Sequence, residues 1–102
     1  MQMRDINNLL DNLKGNERDV AAYIVLKIKH SRWHEHVFTI DEIIKNLYVN
    51  KDTVSRAIVK LIISEIIREQ KIKHGQYKFM PYNRESFEKV VQVFRDEVVA
   101  ND

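Results

Sequence analysis

Leu47 and Asn50 stand three positions apart, and that short interval constrains this chain more than any other feature of it. Before it, TIDEII places Thr39 and Glu42 at capping-box spacing. The Thr hydroxyl can accept from a free backbone N–H while the carboxylate reaches back to the cap. After it, Asn50 can cap KDTVSRAIVKL, where Val54, Ala57, Ile58 and Leu61 share one side when each residue advances about 100°. One short helix must stop near Leu47 and a second must start at about Lys51 and run to about residue 64. A tight turn has to join them.

Other helices flank this pair. RDINNLLDNLKG sets Ile6, Leu9, Leu10 and Leu13 at i, i+3, i+4 and i+7, one apolar stripe, with Gly15 as its expected C-cap. From about Asn16, ERDVAAYIVLKIKH carries a nearly unbroken apolar run from Val20 to Leu26, which predicts the most buried element. SRWHEHVF has no helical period and predicts a loop entering a short extended piece at Val37 and Phe38. At the other end, NRESFEKVVQVFRDEVV repeats Phe87, Val90, Val91, Phe94 and Val98 at helical spacing, capped by Asn83 or Ser86.

Directly after the helix pair, IIREQKIKHGQYKFM shifts toward a period of two with β-branched and aromatic residues, and His74-Gly75 is its one turn signal. A two-residue hairpin there pairs Ile72 with Tyr77, Gln70 with Phe79 and Lys71 with Lys78, with Lys73 on the same face as that lysine pair. Like charges opposed across strands oppose folding unless a partner such as a phosphate relieves them; lysines that splay into water or blunt an edge strand are the bland alternative. Pro81 ends the ladder, because it cannot donate to it.

Composition narrows the chemistry. A chain of 102 residues, 44% of them hydrophobic, forms one domain with one core, here expected over 1–102. It has no cysteine, which excludes thiol catalysis, disulfides and thiolate metal sites. With no signal-peptide pattern and no apolar run near the roughly 20 residues that span a bilayer, a soluble cytoplasmic protein is expected. The net charge is only +2, but it is unevenly spread. Residues 51–80 hold seven basic and three acidic side chains, a balance of +4, whereas the remainder holds ten basic and twelve acidic, a balance of −2. Gathered positive charge suits a polyanionic partner, although a solvated basic face would look the same.

Two helices on a tight turn followed at once by a hairpin resemble a winged helix-turn-helix over about residues 17–82, most like the small bacterial and archaeal regulators of the MarR and PadR type. Leu47, Val49, Val54, Ala57, Ile58 and Leu61 match the core positions, and Thr53, Ser55 and Arg56 lie outward. Where the simple motif often has glycine in its turn, this chain has Tyr48. The resemblance implies a mainly α fold with a small β-hairpin (α+β), and extra terminal helices over about 3–14 and 83–99. It also implies binding to double-stranded DNA, with the second helix of the pair in the major groove and the hairpin, about 66–80, as a wing on the backbone or minor groove.

The residues themselves support such a surface. A helix start favours phosphate, and Lys51 and Thr53 sit there. Arg56 is the candidate for guanine, since a planar guanidinium can bond O6 and N7 together, with Ser55 and Thr53 beside it. Lys51, Lys60, Lys71, Lys73 and Lys78 would hold the backbone, with His74 at the wing tip. Asp52 is expected to stabilise the helix start rather than accept from cytosine. Ile6, Leu9, Leu10, Leu13, Phe87, Val90, Val91, Phe94 and Val98 could cover the winged core or pair with a second copy. A homodimer is expected, setting two reading helices about 34 Å apart.

Other chemistry is weak. His30, His34, Glu35 and His36 read as solvent-exposed loop residues rather than metal ligands, and Trp33 as a lid on the core. No glycine-rich phosphate loop or nucleophile elbow is present, so neither an enzyme nor a cofactor is expected. Two rivals to a transcriptional regulator stand: a winged-helix protein–protein adaptor, suited by apolar Val59 and Ile63 on the reading helix, and a plasmid or viral replication or partition protein using the same DNA surface.

Overall fold

A computed structural model describes the backbone of residues 3–100 and the side chains of residues 6–97. In chain order the elements are α1 (Met3–Asn12), α2 (Asn16–Lys29), a single 3-10 turn (Arg32–His34), β1 (His36–Thr39), α3 (Ile40–Leu47), α4 (Lys51–Ile63), β2 (Ile67–Lys73), β3 (Gln76–Pro81) and α5 (Arg84–Ala100).

The caps act as their chemistry dictates. Thr39 Oγ1 accepts the N–H of Glu42 at 3.1 Å, and the Thr39 N–H donates to Glu42 Oε1 at 3.0 Å, a complete capping box. Asn50 Oδ1 accepts the N–H of Thr53 at 2.8 Å, which starts α4. Asn83, not Ser86, caps α5 by accepting the N–H of Ser86 at 3.1 Å. Gly15 differs from its expected role. Because α1 ends at Asn12, Gly15 stands instead immediately before α2, with φ 58°, and its carbonyl accepts from Asp19 at 3.1 Å.

The α2 helix is the central rod. Val20, Ala21, Ile24, Val25 and Ile28 are all buried, and α4 and α5 pack along it. Val49, Val54, Ala57, Ile58 and Leu61 seal α4 and the turn before it against the same core. From the sheet come Phe38 and Phe79, whose ring centroids lie 5.4 Å apart. Large rings of this kind contribute much of the apolar area removed from water.

The terminal helices belong to this core. Ile6, Leu9 and Leu13 of the first segment are buried, as are Phe87, Val90, Val91 and Phe94 of α5, while Leu10 packs partly buried against them. The side chain of Val98 lies outside the described residues. Among the described residues, these stripes pack into the winged core. Arg18 fastens the arrangement: its guanidinium pairs with Glu97 of α5 and donates to the Leu13 carbonyl at 3.1 Å.

The three strands form one antiparallel sheet in the order β1-β3-β2, so the short extended piece joins the hairpin as a third strand. The turn is His74-Gly75 as expected, with Lys73 opposite Gln76, and the glycine takes φ 79°. The register below it differs from the simple ladder. Between Lys71 and Lys73 the pairing shifts, so Lys71 faces Tyr77, Gln70 faces Lys78 and Glu69 faces Phe79. A bulge at Ile72 absorbs one residue. No lysine opposes a lysine across these strands. Successive residues of β3 point to opposite faces, so Lys71 shares a face with Tyr77, while Lys73, Lys78 and Arg68 share the other.

Candidate nucleic-acid interface

The start of α4 and the hairpin turn meet at a cleft. Thr39, Asp41 and Ile44 of the β1–α3 segment, Lys51 at the start of α4, and His74, Gly75 and Gln76 at the wing tip line a volume of about 450 Å³. The end of α4 that carries free N–H groups and the positive dipole end therefore opens beside the hairpin turn. Beyond Ile67, every residue of β2 is exposed. That ribbon is held by its pairing to β3 rather than by burial, and it carries Arg68, Lys71 and Lys73 into solvent.

Along α4, Lys51, Asp52, Ser55 and Arg56 are exposed, and Asp52 lies in the first turn. Thr53 is not outward as expected: it is only 6% exposed. It lies on the flank of α4 beside the core stripe, and packing encloses that flank. Val59 and Ile63 extend the open face with 50% and 74% exposure. Lys60 turns to the corner between α1 and α2, where its ammonium donates to the Asn12 carbonyl at 2.9 Å and pairs with Glu17. Arg56 Nε donates to the other oxygen of that carboxylate at 2.9 Å. Lys60 first, and Arg56 after it, hold the Glu17 carboxyl below the usual carboxylate range. On the sheet, Lys78 lies 3.4 Å from Glu35.

Tyr48 occupies the turn between α3 and α4 with φ 55° and ψ 45°, the left-handed conformation that glycine takes freely. Its ring is 93% exposed, next to the start of α4.

The loop after α2 departs from expectation. Trp33 is 81% exposed rather than a lid, and both Trp33 and His34 have positive φ. A turn with two left-handed residues carries the indole away from the core. His36 Nδ1 lies 3.0 Å from Ser31 Oγ. Among the described residues, no three His, Cys, Asp or Glu side chains converge as metal ligands, and no helix is long and apolar enough to cross a membrane.

No protein-family model and no curated protein matches the sequence. Solved structures do match. AbsC, a MarR family transcriptional regulator from Streptomyces coelicolor, superposes with a TM-score of 0.55 at 13% identity, over 91% of this chain and 68% of that one. This chain has the winged-helix fold. A possible transcriptional regulator from Methanosarcina mazei shares it, with a TM-score of 0.53 at 21% identity, over 99% of this chain and 86% of that one. RV1404 from Mycobacterium tuberculosis gives 0.56 at 11% identity over 96% of this chain. The winged-helix chain spans 63% of the length of the Mycobacterium protein. In winged-helix terms α3 and α4 are the helix-turn-helix, and β2 and β3 are the wing.

Two features of this surface were not legible in the sequence. Glu17 reads there only as an acid in the first turn of α2, and its partners lie 39 and 43 positions away. Arg68 joins the basic face of the wing only because the register makes it a same-face neighbour of Lys78.

Proposed function

We propose that this chain binds double-stranded DNA sequence-specifically as a transcriptional regulator, with α4 in the major groove and the wing on the backbone or minor groove. One observation carries the reading: Lys51 at the start of α4 and His74 at the wing tip line the same cleft. One run of phosphates could therefore engage both. The likeness to transcriptional regulators from two organisms supports it at the level of fold.

In this reading Arg56 and Ser55 face base edges. Lys51, Lys71, Lys73 and Arg68 hold phosphates, with His74 at the tip and Lys78 on the outer face of the wing. Thr53 drops out as a reader because it is enclosed, and Lys60 serves the α1–α2 corner. A homodimer would have to use surfaces other than the buried stripes, or exchange its terminal helices between copies. Selection of bound sequences from a random duplex pool tests all of this at once. A defined motif supports specific binding, and a palindromic motif requires two copies. Recovery of no motif, with no salt-sensitive retention of DNA, would refute the reading.

Val59 and Ile63, exposed at 50% and 74%, favour a second reading as a protein–protein adaptor. An adaptor would show no salt-sensitive association with random duplex DNA, whereas a DNA-binding protein releases counterions and must.

A further inference from the structure

The Glu17 carboxylate sits between two cations of the reading helix. One oxygen accepts from Arg56 Nε at 2.9 Å, and the other is paired with Lys60. The Glu17 side chain is 18% exposed, against 56% for Arg56, so the acid is sunk beside the helix while the guanidinium reaches outward. Lys60 fixes the acid from behind and is itself tied to the Asn12 carbonyl at the end of α1. The two cations lower the Glu17 pKa, Lys60 first, so the carboxylate stays ionised further into acid than an ordinary glutamate.

Among the described residues, Arg56 is engaged through its Nε edge alone. Among the described residues no protein acceptor bonds its two terminal nitrogens, the pair that can reach guanine O6 and N7 side by side. A carboxylate so near a phosphate-binding surface also works against affinity, because it repels the same polyanion that the lysines attract. As a surface ion pair it contributes little to stability. Orientation remains as its chemical use. It restricts a long, rotamer-rich side chain to one direction before the ligand arrives.

We propose that Glu17 is a positioning residue for Arg56, fixing the free edge of the guanidinium toward a guanine and exchanging non-specific affinity for base selectivity. This rests on the DNA-binding reading above. Glu17 touches no base itself.

Wild type, E17Q, E17D and R56A are each carried through selection from a random duplex pool, then titrated at low and high salt against the selected site and a random duplex. Thermal unfolding verifies that each variant is folded. E17Q should lose preference at the same base pair as R56A, with the ratio of specific to random affinity falling at least about fivefold. Its affinity for random duplex should rise, and its salt slope should steepen by about one, as the Arg56 charge is released from the ion pair. R56A should lose random affinity instead. E17D keeps the charge but shortens the reach by one methylene. It should lose the preference without the gain in random affinity, which separates position from charge. If E17Q and E17D select the wild-type motif while R56A does not, Glu17 is only a brace and the inference is overturned. If wild type shows no salt-sensitive duplex binding, the DNA reading itself has failed.

Discussion

The N–H of Tyr48 donates to the Ile44 carbonyl at 2.8 Å and closes α3 with an aromatic residue in left-handed backbone. A side chain there is strained by roughly 1–2 kcal/mol relative to glycine. Glycine returns part of that through the greater freedom of its unfolded chain. Tyr48→Gly should therefore stabilise the fold by about 0.5–1 kcal/mol, seen as a higher denaturant midpoint at unchanged slope. A lower midpoint would mean that the exposed ring makes a contact the fold needs.

Asn50 stands at the other end of the same turn. Asn50→Ala removes the acceptor that holds the Thr53 N–H at 2.8 Å. The expected loss is about 1 kcal/mol, with Asn50→Ser or Asn50→Asp close to wild type. Equal losses in all three variants would show that something other than the cap is being measured.

Among the described residues, three carboxylates are held below their ordinary range by a neighbouring cation: Glu17 by Lys60 and then Arg56, Glu88 by Lys29, and Glu97 by Arg18. Near the ordinary carboxylate pKa the unfolded chain therefore binds more protons than the folded one, so stability rises with pH there. The contribution is complete above the unfolded value of about 4.3 and disappears as pH falls through the lowered folded values. Urea midpoints followed from pH 7 to 3 should drop in acid, and less steeply in Glu97→Gln. Parallel curves for the two proteins would remove the Arg18–Glu97 pair from the account.

Arg56 and Lys73 should fail in different ways. Arg56→Ala should relax preference at one or two base positions at a cost of about 1–3 kcal/mol. Equal weakening on every sequence would contradict a reading role.

Lys73→Ala should weaken all sequences alike and flatten the log–log salt dependence by about one unit. An unchanged slope would take the wing out of the interface.

Much of the fold was legible because local rules and global packing agree here. Thr39, Glu42 and Asn50 announce the starts of α3 and α4, and apolar spacing marks the buried faces of α1, α4 and α5. His74-Gly75 marks the hairpin turn. Failures came where one residue changes phase or where partners are distant. A single bulged residue, Ile72, moves Lys71 and Lys73 to opposite faces, and no composition rule anticipates it. Thr53 lies at the border of the apolar stripe, where helix geometry alone does not decide whether a neighbour covers it. The Glu17–Arg56 pair joins two helices across 39 positions, and only tertiary packing brings such residues together.

β2 lies at the rim of the sheet, so one whole row of its backbone donors and acceptors faces no neighbouring strand among the described residues. Such a rim invites another chain to add itself and extend the sheet indefinitely. Here the kink at Ile72 breaks the straight run that an intruding strand would need, and lysines on either side of it repel a like-charged copy. The distortion that misaligns the ladder thus also guards against fibre growth, and deleting Ile72 should make concentrated solutions prone to self-association.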